Sequence, residues 1–94
     1  MEVIWTRPAL RTLESIADFI ARDNPVAAYE VTETIRRRAL LLADFPYIGR
    51  VGGIAGTREL VVSGLLYILP YRIVWNTVQI LDVFHTSRRF PPDD

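Results

Sequence analysis

The apolar residues change period at Phe45-Pro46, and that switch constrains the fold of this chain more than any other feature. Before it they recur every three or four residues, the period of a helix face; after it they fall in short β-branched and aromatic runs. Helices therefore come first and a sheet second. Leu10, Leu13, Ile16, Ala17 and Ile20 form one stripe, opposed by Arg11, Glu14, Ser15, Asp18 and Arg22. Thr6 is placed to cap that helix, with Pro8 in its first turn, where a missing N–H costs little. Asp23-Asn24-Pro25 ends it and starts another, because the residue before proline avoids the α region and Asn24 is a good cap. The second stripe is Ala28, Val31, Ile35, Ala39 and Leu42, and so short a junction folds the two helices into an antiparallel hairpin.

Val3-Ile4-Trp5 reads as an opening strand. Beyond Phe45-Pro46, glycines 49, 52, 53 and 56 predict a loop. Thr57–Val62, Leu65–Trp75 and Val78–Phe84 then read as a meander, turning at Ser63-Gly64 and Asn76-Thr77. Pro70 cannot donate a ladder hydrogen bond, which predicts an edge, a bulge or a break beside it. The fold class is α+β, ordered β-α-α-β-β-β, with the helical hairpin on one face of a small, mainly antiparallel sheet. Ninety-four residues supply one core, so residues 1–94 are read as a single domain.

Eleven basic and eleven acidic residues cancel, leaving no global field to attract nucleic acid or a membrane surface. All eleven bases are arginine, which excludes lysine Schiff-base chemistry and a phosphate-loop lysine. No cysteine is present, and a single histidine argues against a metal centre, so no metal or cofactor is expected. The opening residues lack a basic leader before an apolar run, and Ala39–Ala43 and Leu65–Leu69 fall far short of the roughly 20 residues of a membrane span. A cytoplasmic protein without membrane contact is expected.

The charge is uneven. From Pro46 to Pro92 there are five arginines, Arg50, Arg58, Arg72, Arg88 and Arg89, against Glu59 and Asp82. Hairpin pairing could gather Arg58, Arg72, His85, Arg88 and Arg89 on the exposed sheet face. Guanidinium suits phosphate through planar bidentate donation, and histidine suits proton transfer in RNA cleavage. Against that stands a structural reading in which Arg58 pairs with Glu59 and Arg72 with Asp82. Arg36-Arg37-Arg38 reads as solvated helix surface, its side chains about 100° apart, with Glu33 supporting Arg37. Trp5, Tyr67, Tyr71 and Trp75 read as core or half-buried sheet positions. Leu65, Leu66, Tyr67, Ile68 and Leu69 are apolar on both faces and call for a cover, either a partner chain or a second copy.

The Asp23-to-Ala28 junction, Phe45-Pro46-Tyr47-Ile48-Gly49-Arg50, Gly56-Thr57-Arg58-Glu59-Leu60, Tyr71-Arg72-Ile73-Val74 and the closing Ile80-to-Pro91 segment resemble the RelE/ParE superfamily of toxins from bacterial type II toxin–antitoxin modules. Five motifs in order, from about Val3 to Pro91, carry the resemblance. It implies a growth-inhibiting toxin of a plasmid-stabilisation type, held in a hetero-oligomer by a cognate, ParD-like antitoxin that alone contacts operator DNA. On the resemblance, Leu65 to Leu69 and the helical hairpin meet the antitoxin. RelE-like members cleave mRNA on the ribosome, and on that branch Arg72, His85 and Arg88 would be catalytic. ParE-like members poison DNA gyrase, and there Arg58, Arg72, His85, Arg88, Arg89 and Phe90 would contact the target. The absence of lysine, Thr86 and Ser87 at the end of the last strand, and the zero net charge lean towards ParE. A non-toxic domain that only binds a partner is the third alternative.

Overall fold

The computed structural model describes residues 1–86. Its elements are β1 (Glu2–Trp5), α1 (Arg7–Ala21), α2 (Pro25–Asp44), β2 (Arg50–Val51), β3 (Arg58–Val62), β4 (Tyr67–Val74), β5 (Thr77–Ile80) and β6 (Phe84–His85). The expected α+β order is therefore present, with β2 and β6 as short additions. Both predicted caps form: the Thr6 hydroxyl accepts from the Ala9 N–H at 3.4 Å and the Asn24 side-chain Oδ1 from the Ala27 N–H at 3.0 Å. Each of them satisfies one of the donors that a helix start leaves without a partner.

The sheet runs β1-β5-β4-β3-β2, with β6 alongside the first residues of β4. Every pairing is antiparallel except β1 with β5, where Glu2 lies beside Thr77 and Trp5 beside Ile80. The helices cover one face. Leu13, Ile35, Ala39 and Leu42 pack on Leu60, Val62, Leu69, Tyr71, Val78 and Ile80, all essentially buried. Each large aliphatic side chain in that layer contributes roughly 1.5–3 kcal/mol of transfer free energy. Ala9 and Ala28 of the two helices are buried too.

Pro70 resolves as a break, though not in its own strand. Its carbonyl accepts from the Leu81 N–H at 2.8 Å, so its ring nitrogen also faces the third run of the meander. There the run splits into β5 and β6, and residues 81–83 leave the ladder opposite the missing donor. Asp82 fixes this excursion, accepting from the Thr12 hydroxyl at 2.7 Å and from the Val83 N–H at 2.8 Å.

Several expectations are corrected by the register. The strand holding Tyr67, Ile68 and Leu69 is central, not an edge, and Ile68 and Leu69 are buried within the chain's own fold. Leu65 and Tyr67 are half-buried, which leaves Leu66 as the exposed residue of the five. Arg38 is not solvated surface: its guanidinium donates to the Val61 carbonyl at 3.2 Å, occupying an acceptor on the outer edge of β3. The Glu33 carboxylate approaches Arg36 at 4.0 Å, while Arg37 meets the Glu33 backbone carbonyl, at 3.5 Å. The last turn sits one residue earlier than predicted, with Val74 paired to Thr77 and Trp75 and Asn76 both at positive φ, 51° and 62°. Trp75 is consequently 94% exposed rather than core. Tyr71 is fully buried and Trp5 half-buried, as expected.

Candidate functional site

β3 begins at Arg58, opposite Tyr71, so Arg72 to Val74 of β4 have no neighbour on that side. The 45–57 loop swings across the gap and leaves a cleft of about 390 Å³ lined by Tyr47, Val51, Arg58, Tyr71, Arg72 and Ile73 among others. Tyr71 fastens the far wall. Its hydroxyl accepts from the Gly49 N–H at 2.9 Å and donates to the Pro46 carbonyl at 2.7 Å. Gly49 is required for this approach, since a Cβ there would lie 2.5 Å from the tyrosine oxygen. Arg58 clamps the same loop: it donates to the Gly49 carbonyl at 2.8 Å and the Tyr47 carbonyl at 3.3 Å, and its guanidinium lies 5.2 Å from the Tyr47 ring centre.

The expected ion pairs are not those formed. Glu59 binds Arg50 at 3.0 Å instead of Arg58, and Arg72 donates to the Gln79 side chain at 2.7 Å instead of meeting Asp82. Among the described residues no carboxylate pairs with Arg58 or Arg72. Among those residues the two guanidinium charges at the cleft thus have no carboxylate partner, the electrostatic setting that attracts a carboxylate or phosphate.

The register does not gather all the candidates on one exposed face. Arg58 pairs with Tyr71 and so shares the helix side of the sheet, whereas Arg72 points to the opposite side; they meet only at the cleft. His85 pairs with Tyr67, and the two rings make an edge-to-face contact at 5.6 Å. Tyr67 lies five residues from Arg72, roughly 17 Å at 3.3 Å per residue. No imidazole therefore stands within proton-transfer reach of the cleft arginines. Arg88, Arg89 and Phe90 lie outside the described residues.

The Tyr71 hydroxyl, one of two tyrosine hydroxyls on the residues that line the cleft, is unsuited to proton transfer near neutrality. Burial pushes the Tyr71 hydroxyl up, opposed only in part by the Gly49 hydrogen bond and the Arg58 charge. Its proton is also committed to the Pro46 carbonyl. Among the described residues no cluster of three metal-ligating side chains occurs, and no helix is long and apolar enough to cross a membrane. Sequence reasoning missed Tyr47 and Val51 as cleft walls and Gln79 as the partner of Arg72. Only the loop glycines hinted that the 45–57 segment approaches another element closely.

The sequence matches, over residues 3–90, the family described as the ParE toxin of the type II toxin–antitoxin system parDE. The chain belongs to the ParE toxin family. It is the toxin of a type II, ParDE-like toxin–antitoxin system, as the motif resemblance implied. Two curated relatives are consistent with this. Y4kP of Sinorhizobium fredii, which carries the name of a toxin, is 44% identical over 93% of this chain and 90% of its own length. Toxin RelE2 of Caulobacter vibrioides is 34% identical over 93% of this chain and 97% of its own length. In three dimensions the fold is similar to a solved chain of the chromosomal ParDE TA system from P. aeruginosa, with a TM-score of 0.81, 25% identity, and coverage of 90% of this chain and 95% of that one. For a ParE-family toxin, the family itself implies an antitoxin partner.

Proposed function

We propose that this ParE-family toxin stops growth in the cytoplasm by poisoning DNA gyrase, and that a cognate ParD-like antitoxin neutralises it in a hetero-oligomer. The observation that supports the reading is the separation, among the described residues, of the basic cleft from the imidazole of His85. Arg58 and Arg72 stand together there, while His85 packs against Tyr67 at the other end of β4. Binding a protein target needs the guanidiniums alone; cleaving RNA needs an acid and a base beside the phosphate. The target surface is taken as this cleft with His85, Arg88, Arg89 and Phe90. The antitoxin is taken to meet the helical hairpin and the exposed Leu66 with half-buried Leu65 and Tyr67, and to bring the operator contact.

A ribosome-dependent mRNA endonuclease is the second reading, favoured by the relative named RelE2. Inducing the gene alone and following labelled thymidine and labelled amino acids over the first minutes separates the two. Arrest of DNA synthesis first is expected. Arrest of protein synthesis first would replace the gyrase reading with the nuclease one, and unimpeded growth would remove both.

A further inference from the structure

Trp75 is the residue that the fold of the single chain explains least. It occupies the first position of the two-residue turn between β4 and β5, and both turn residues have positive φ, 51° and 62°. Such a turn favours asparagine or glycine, because a side chain beyond Cβ is strained in the left-handed region. Asn76 follows that rule and Trp75 breaks it. Burial does not compensate, since the indole is 94% exposed. A large apolar side chain that is both strained and bare stabilises nothing within the chain, so the reason for it lies in a contact made outside.

The position says which contact. Trp75 follows Ile73 by two residues, and Ile73 lines the cleft with Arg58 and Arg72. Tyr47 and Val51, on the other wall, are 65% and 80% exposed. Tyrosine and arginine line this depression and a tryptophan follows its Ile73 wall by two residues; these are the residue types that dominate protein–protein contacts energetically. The tight turn also holds the indole on a backbone closed by β4–β5 pairing, so little backbone freedom is lost when it docks. A nucleic acid fits less well: the chain has no net charge, and Arg58 already covers the face of Tyr47.

We infer that the Trp75 turn is an anchor that inserts into an apolar pocket rimmed by carboxylates on the toxin's target protein, with Arg58 and Arg72 facing those carboxylates. The inference rests on the reading of gyrase as that target. The antitoxin is the other candidate occupant, but Leu65, Leu66 and Tyr67 lie at the opposite end of the eight-residue β4. An antitoxin seated there leaves the turn free.

Trp75→Asn tests this, because asparagine suits the turn and the variant folds at least as well. Three measurements are made on wild type and variant: thermal unfolding, affinity for the cognate antitoxin, and inhibition of supercoiling by purified gyrase. The expected result is a midpoint raised by about 4–8 °C, antitoxin affinity unchanged within about twofold, and gyrase inhibition weakened at least tenfold. Trp75→Tyr, which keeps an aromatic ring, is expected to recover most of the inhibition. Equal inhibition by wild type and Trp75→Asn overturns the anchor alone. A loss of antitoxin affinity in Trp75→Asn overturns it as well, by assigning the turn to the other partner. Failure of the wild-type chain to inhibit gyrase overturns the gyrase reading and the anchor with it.

Discussion

Replacing Tyr71 with phenylalanine removes one oxygen atom and is expected to loosen the whole wall of the cleft. That oxygen accepts from the Gly49 N–H and donates to the Pro46 carbonyl, 22 and 25 residues away in sequence. Phenylalanine keeps the ring and its packing, so the cost is confined to the two hydrogen bonds. Each is worth about 0.5–1.5 kcal/mol net, and leaving the buried Gly49 N–H without an acceptor adds a desolvation cost of about 1–3 kcal/mol. Because these terms overlap, the total is placed at about 2–3 kcal/mol, equivalent to a fall in midpoint of roughly 10–20 °C for a domain of this size. Urea denaturation of wild type and Tyr71→Phe reads the difference, with the slope expected to be unchanged. The pH dependence supplies a second signature. In the folded chain the hydroxyl holds its proton to higher pH than in the unfolded chain. Wild-type stability is therefore undisturbed by this group below roughly pH 10 and falls as the pH climbs past it towards the folded-state value. The variant lacks that loss, so the gap between the two proteins narrows over that same interval. A difference under about 0.5 kcal/mol at neutral pH, or a gap that widens in alkali, would refute the argument.

Arg72→Ala is expected to change stability by less than about 0.5 kcal/mol, since the residue is exposed and, among the described residues, its side chain bonds Gln79 alone; growth arrest on induction should weaken markedly, and full toxicity would remove Arg72 from the target surface. Leu66→Asp and Ile68→Asp should part company. The first, 61% exposed, leaves the fold intact and weakens antitoxin binding in a pull-down, whereas the second puts a carboxylate at a position only 5% exposed and unfolds the chain by circular dichroism. Asp82→Ala is expected to cost about 1–3 kcal/mol, because it strips partners from the Thr12 hydroxyl and the Val83 N–H together; thermal unfolding checks it.

The helices were legible because their signals are local. Thr6 with Pro8 and Asn24 with Pro25 place a cap and a compatible first turn within three residues, and both caps form as read. The strand order was not legible, since β1 pairs with a strand 75 positions later and no local preference encodes such a partner. Pro70 illustrates an intermediate case: its missing donor announced a break, but the break fell in the neighbouring run, which only the register reveals. The arginines were read as a group because charge is visible in the sequence while sheet parity is not. Once Arg58 is paired with Tyr71, Arg72 must point to the other face. Trp75 was misjudged for a related reason: a one-residue shift of the turn moved it from a strand into the solvent.

The parallel pairing of β1 with β5 also dictates when the molecule can become complete. Glu2 finds its neighbour only in Thr77, and Trp5 only in Ile80. At about 5–20 residues per second, translation takes roughly 4–15 s to pass from the first strand to its partner. The segment spanning α1 and α2 is made within that window, whereas the cleft waits for Arg72 and Ile73. Nascent chains halted before Thr77 are expected to remain sensitive to protease, and resistance at that stage would show that the sheet closes without its last-made neighbour. Through that interval both helices have been synthesised and the sheet still lacks the partner of its first strand.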